Sequence, residues 1–313
     1  MKKNLLGKTG IEVTQVGFGV LPMGPHQRNL STEEGAQILT YALERGINFI
    51  DTAQYYLTYP HIKEALSGFD GHPIICSKSL AHGYEEMEAA VSEAIDALGY
   101  VDIFLLHEVR PGDFALRKGA WDYLIESKAK GIIRAIGVST HHVDVVREVA
   151  LVPECDVIFP LINYAGLGIR NGDEPGTRED MEGAISLASA NGKGIFTMKT
   201  FGGGPLVAEY AQCLEYSLGL EDSSSSMIGF ASTKDVDDLF DFLEGKIPSI
   251  ETSEKVMHIE RGSCEGCGSC IERCANEAIS FSREDGLAEI DPDKCMTCGY
   301  CVPVCPVRAI ILY

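Results

Sequence analysis

Between residues 13 and 245, short apolar runs alternate with longer stretches in which apolar residues recur every three or four positions. The runs are VTQVGFGV, INFID, PIICSK, VDIFLLH, AIGVST, DVIFPLIN, GIFTMK and SMIGF. Their length and their flanking glycines and polar residues predict buried strands. The amphipathic stretches predict helices. TEEGAQILTYALERG starts at a Ser/Thr cap and ends at Gly46, and YEEMEAAVSEAIDALG ends at Gly99 in the same way. Further helices are expected at 61–68, 118–131, 142–150, 178–192, 206–219 and 233–244. Strand–helix alternation implies parallel strands with right-handed crossovers. Eight such units point to an α/β fold, a closed (β/α)8 TIM barrel over residues 1–245. An open doubly wound sheet is the alternative, but no G-x-G-x-x-G follows the first strand. Residues 1–12 are expected to form a turn-rich plug with GKTG as its turn.

The pattern changes after residue 245. Residues 246–262 read as a connector, and 263–313 as a small, separate α+β module. CEGCGSCIERCANEAI and CMTCGYCVPVCPVRAI match position for position, 31 residues apart. Each half reads C-x2-C-x2-C-x3-C, the run of bacterial two-cluster ferredoxins, in which the fourth cysteine serves the other cluster. That rule assigns Cys264, Cys267, Cys270 and Cys305 to one [4Fe-4S] cluster, and Cys295, Cys298, Cys301 and Cys274 to the second. Pro306 follows the last cysteine as the run expects, whereas Ala275 replaces the corresponding proline. Structural zinc or disulfides are the other readings of clustered cysteines; zinc usually takes four ligands in two separated pairs. The module resembles the bacterial two-[4Fe-4S] ferredoxin along nearly all of its length.

Composition narrows the partners. Of eleven cysteines eight lie in the module, which in a reducing compartment reads as metal ligation. The net charge of −20 argues against nucleic acid and anionic membranes, and is compatible with a basic redox partner protein. No signal peptide is apparent and no stretch reaches the roughly 18 apolar residues of a membrane span. A cytoplasmic protein is expected.

In such a barrel, catalytic groups sit at the C-terminal ends of strands. Those ends supply Asp51, Lys78 and His107, and Tyr56 lies in the loop after the second strand. A phenol, a lysine, a carboxylate and an imidazole can together donate a proton to a carbonyl oxygen as hydride reaches its carbon. A phenol is a poor acid near neutral pH, and a neighbouring Lys⁺ is expected to lower its pKa.

At this point the chain resembles the aldo-keto reductase family, through LGKTGIEVTQVGFG at the start, DTAQYY, SK at 77–78, VDIFLLH, GVS and MKTFGGG. The resemblance covers residues 1 to about 244. It implies Tyr56 as proton donor, with Asp51, Lys78 and His107 in support. It also implies a nicotinamide cofactor with Ser139, Asn163, Met198, Lys199, Gly202 and Ser232 as candidate contacts. Thr140 stands where the family usually has Asn, and Met198 where an aromatic commonly stacks. After strand eight only Lys234 is basic, beside Asp235, Asp237 and Asp238, which favours NAD(H) over NADP(H) by analogy with dinucleotide folds. No flavin signature is present, although a barrel can take a flavin without a short motif. His141 and His142 are expected at a solvated helix start, and Cys76 on the same strand face as Lys78.

The reading is a reductase interconverting a carbonyl and an alcohol with a nicotinamide hydride carrier, with an appended two-cluster electron-transfer domain. The alternative is a ferredoxin-type electron-transfer protein, or a cluster-driven reductase, whose barrel no longer binds nicotinamide.

Overall fold

The computed structural model describes residues 1–248, 250 and 256–312. Eight parallel strands close into a barrel: β3 (Val16–Gly19), β4 (Phe49–Asp51), β5 (Ile74–Ser79), β6 (Ile103–Leu106), β7 (Ala135–Thr140), β8 (Val157–Pro160), β11 (Gly194–Thr197) and β12 (Ser225–Gly229), with β12 pairing back onto β3. Each coincides with one of the eight apolar runs. Around them lie α1 (Thr32–Glu44), α2 (Tyr59–Leu66), α3 (Tyr84–Leu98), α5 (Lys118–Ala129), α6 (Val143–Val149), α7 (Arg178–Ala190), α8 (Tyr210–Leu218) and α9 (Thr233–Leu243). Local sequence sets their starts. Ser31 accepts from the Glu34 amide while the Glu34 carboxylate accepts from the Ser31 amide, and Thr177 and Asp180 repeat the arrangement.

Strand alternation divides the core into two layers. Ile74 and Cys76 of β5, and Ile103 and Leu105 of β6, fill the barrel interior with Phe49, Phe159 and Phe196. Ile75, Phe104 and Leu106 face outward and pack under the helices. The bottom is closed by an antiparallel hairpin, β1 (Lys3–Leu5) with β2 (Glu12–Thr14), whose Leu6, Ile11 and Val13 join the inner layer. Gly7 in its turn has φ +55, and a Cβ there would lie 2.3 Å from the Gly194 nitrogen. The expected plug is therefore what the chain forms. Two small elements lack a counterpart in the sequence reading: α4 (Asp113–Leu116) and a hairpin of β9 (Arg170–Asn171) with β10 (Glu174–Pro175).

The C-terminal module contains β13 (Met257–Ile259), α10 (Ser269–Arg273), β14 (Ile279–Phe281), β15 (Ala288–Ile290) and β16 (Ile310–Leu312). β13 pairs antiparallel with β16, and β14 with β15. This corrects the end of the connector: residues 257–259, expected in it, are a strand of the module. Residues 249 and 251–255 of the connector lie outside the described residues. Among the described residues no helix is long and apolar enough to cross a membrane.

Candidate active site and cluster sites

β4 and β5 end at the C-terminal mouth of the barrel and present Asp51 and Lys78 there. The Lys78 ammonium is buried and donates to both Asp51 oxygens at 2.8 and 2.9 Å and to the Thr52 carbonyl at 2.7 Å. Tyr56 ends a 3-10 turn, Gln54–Tyr56, that closes on Leu57 in the left-handed region. Its ring centre lies 4.6 Å from the Lys78 nitrogen. His107 follows β6 and stands edge-on to Tyr56, ring centroids 5.5 Å apart at 80°. All four side chains line one cavity of about 190 Å3.

Burial dominates the electrostatics of this group. It would drive the Lys78 ammonium down, but Asp51, with Tyr56 next, more than reverses this and holds the lysine protonated. Burial raises the Asp51 carboxyl while Lys78 opposes it, so the two are held as an ion pair. Burial also raises the Tyr56 phenol; Lys78 pulls the other way and does not win. Lys78 thus acts in the expected direction, but burial outweighs it and the phenol ends above its ordinary value. Burial, then Lys78 and Arg273, push His107 well below the ordinary histidine value, so the imidazole is neutral. The cluster thus offers a protonated phenol beside a fixed cation and a neutral imidazole, a chemistry suited to protonating a carbonyl oxygen.

Ser139, Met198 and Lys199 line the same cavity, as do Gly203, Gly204 and Thr200. The Thr200 hydroxyl is buried without a partner among the described residues, and Lys199 adopts φ +66. The other three expected nucleotide contacts lie elsewhere. Asn163 spends both ends of its amide on Leu167, accepting from its nitrogen and donating to its carbonyl, each at 2.9 Å. Ser232 caps α9 by accepting from the Asp235 amide at 3.1 Å. Asp235 in turn accepts from the Ala231 and Ser232 amides, so a carboxylate already occupies that helix start. Gly202 packs toward Leu167 and Leu206. His141 lines the cavity and contacts Asn276 at 3.1 Å, and His142 is buried, so neither stands at a solvated helix start.

The module's cysteines form two groups. Cys264, Cys267, Cys270 and Cys305 surround a small apolar cleft with Ile259, Ala288 and Val307. The electrostatic neighbours of Cys301 are Cys298, Cys274 and Cys295. This grouping is what an exchange of fourth cysteines would require. The halves also share a device: the Ala278 amide donates to the Cys274 sulfur, and the Ala309 amide to the Cys305 sulfur, each at 3.2 Å. Amide hydrogen bonds to the ligating sulfurs are among the features that tune such a cluster. No two cysteines are joined in a disulfide among the described residues. The donor sets fit two [4Fe-4S] clusters.

The module sits on the mouth of the barrel. Arg273 pairs with Glu108 at 2.7 Å and Arg170 with Glu277 at 2.5 Å. Thr297 donates to the Gly203 carbonyl at 3.2 Å. Gly203 has φ +84, and a Cβ there would lie 2.2 Å from the Met296 carbonyl oxygen, so the glycine-rich loop is fitted to the module. Met296 and Tyr300 belong to the same buried cluster as the barrel core. Cys298, Ala275 and Tyr300 complete the cavity wall. The sequence reading named Cys298 and Ala275 only as parts of the cysteine run and placed none of these residues at an interface with the barrel. Tyr300 lies at a position that the cysteine run leaves unspecified, and nothing local marks it.

The sequence model of the aldo/keto reductase family matches residues 15–256, and that of the 4Fe-4S dicluster domain matches 263–309. L-galactose dehydrogenase of Arabidopsis thaliana is 25% identical over 275 residues, which is 74% of this chain and 85% of that protein. An aldo-keto reductase of Mycolicibacterium smegmatis is 31% identical over 165 residues, 49% of this chain and 56% of its own length. The match thus spans little more than half of that relative. An aldo-keto reductase from Bacillus halodurans, solved in its holo form, superposes with a TM-score of 0.65 at 20% identity, covering 80% of this chain and 93% of that one. One from Brucella melitensis gives 0.58 at 18% identity, covering 79% and 95%. At these identities the structural likeness speaks for the barrel alone; the sequence models carry the assignment. The chain belongs to the aldo/keto reductase family, with a 4Fe-4S dicluster domain fused behind its barrel.

Proposed function

We propose that the protein interconverts a small-molecule carbonyl and its alcohol, with NAD(H) as hydride carrier and Tyr56 as the proton donor. The observation that carries this reading is the meeting of Tyr56, Lys78, Asp51 and His107 in one cavity. Nicotinamide, when bound, supplies or accepts the hydride. Lys199, the free Thr200 hydroxyl and Met198 are the groups available to hold it. The acidic start of α9, where Asp235 fills the helix end and Lys234 pairs with Asp238 at 2.7 Å, disfavours a 2′-phosphate. His107 orients the carbonyl oxygen, and Tyr56 transfers its proton to that oxygen. Lys78, fixed by Asp51, steadies the phenolate left behind.

Cys264, Cys267, Cys270 and Cys305 would hold the outer cluster, and Cys274, Cys295, Cys298 and Cys301 the inner one. A second reading rests on Cys298: a ligand of the inner cluster forms part of the cavity wall. In that reading electrons pass from the clusters to a molecule in the barrel, and nicotinamide is not required.

The two separate on anaerobic holoprotein assayed with 4-nitrobenzaldehyde. Under the first reading NADH supports reduction, its fluorescence is quenched on binding, and Tyr56→Phe lowers kcat by ~100-fold or more. Undiminished turnover in Tyr56→Phe removes Tyr56 as the acid. Absent NADH and NADPH binding, together with cluster-dependent reduction, favours the second.

A further inference from the structure

Proton donation to a carbonyl needs one point within reach of both the Tyr56 hydroxyl and the His107 imidazole. That point is taken. Tyr300, reaching in from the module, places its hydroxyl 2.9 Å from the Tyr56 oxygen and 3.4 Å from His107 Nε2. The Tyr300 ring is buried and held on several sides. The Arg273 guanidinium lies 4.7 Å from its centroid, the Tyr55 ring meets it edge-on at 5.4 Å, and the Tyr55 hydroxyl donates to its backbone carbonyl at 3.0 Å. Two oxygens cannot occupy one seat, because hydrogen-bonded oxygens stay about 2.5–3.0 Å apart.

We propose that Tyr300 is an internal occupant of the oxygen seat, a specificity-determining residue that a substrate must displace before it can react. This rests on the reading of Tyr56 and His107 as the oxygen-binding pair. Displacement is a side-chain event. The neighbouring Gly299 has φ +80, and a Cβ there would lie 2.1 Å from the His26 carbonyl oxygen, so the backbone beside Tyr300 is wedged against the barrel. Tyr300 also borders the cavity, which leaves its ring room to turn. Only ligands whose own contacts outweigh those of the phenol enter. The slot that it vacates is bounded by the rings of Tyr55, Tyr56 and His107, and matches a flat ring carrying an oxygen.

Tyr300→Phe keeps the ring and deletes the hydroxyl; Tyr300→Ala empties the slot. Both are made as anaerobic holoprotein and checked for iron and sulfide content against wild type. With 4-nitrobenzaldehyde and NADH, Tyr300→Phe is expected to lower KM about fivefold, the worth of one neutral hydrogen bond, with kcat unchanged. A lower kcat at unchanged KM, or no change in either, overturns the proposal. A second readout needs no turnover: 4-nitrophenol, titrated by its absorbance, is expected to bind Tyr300→Phe about fivefold more tightly than wild type. Tyr300→Ala should bind it more tightly still. Equal affinity in wild type and Tyr300→Phe overturns the proposal even if no variant reduces a carbonyl. Tighter phenol binding without any turnover upholds the occupied seat and places the fault in the reductase reading.

Discussion

Burial raises the Tyr56 phenol above the ordinary tyrosine value of about 10, and Lys78 only partly offsets this. In the proposed reaction the protonated phenol is the proton donor, so reduction would be lost as pH rises through its pKa and not before. The expected kcat/KM profile with 4-nitrobenzaldehyde and NADH is therefore level through neutral pH, with an alkaline limb above pH ~10. A limb centred between pH 7 and 8 would mean that Lys78 outweighs burial. The four residues themselves were legible in the sequence, because three stand at strand ends and alternation fixes which way they face. The direction of the acidity shift was not. It depends on how completely the site is covered, and part of the cover comes from a module more than 200 residues away.

At the level of elements, the strands were legible for a physical reason. Buried parallel strands need apolar residues on both faces, and the inner and outer sets, Cys76 and Leu105 against Ile75 and Phe104, follow from period-two alternation. The segment 108–117 gave no such signal, since a one-turn helix is too short to display a period. It delivers Arg117, which is fully buried. Its guanidinium donates to the carbonyls of Ala81, His107 and Ser79 at 2.9, 2.8 and 2.8 Å, tying the ends of β5 and β6 together beneath the site. Burial pushes its pKa down to about 10, which leaves it charged at neutral pH. Arg117→Leu leaves the Ala81 and His107 carbonyls without this donor, while Ser79 keeps the His107 amide; each stranded acceptor costs about 1–3 kcal/mol. A loss of ~3 kcal/mol or more is expected, a fall in Tm of roughly 6–12 °C by calorimetry. A shift within about 2 °C would show that the loop carbonyls find other donors.

Across the whole molecule, the sequence announced two parts but not their arrangement. Cysteine spacing dictates the ligands of a cluster; the residues between them are free to vary, so where Met296 and Tyr300 point is decided by docking. The docking is specific, with Arg273 stacked on Tyr55 and Tyr300 at 4.7 Å from each while paired to Glu108. It leaves the two cysteine groups unequal: Cys267 is exposed at the outer one, whereas Cys298 of the inner one borders the cavity. With Cys298 holding the inner cluster as proposed, small oxidants and chelators would approach that cluster from the cavity. A molecule that fills the cavity should act as a stopper. Saturating NADH is expected to slow the loss, in air, of one cluster's share of protein-bound iron, and to leave the other cluster's loss unchanged. Equal protection of both, or of neither, would mean that air reaches the inner iron by another path. On the proposed reading the cavity would also shield the metal beside it, and ligand-free protein would lose iron faster than ligand-bound protein.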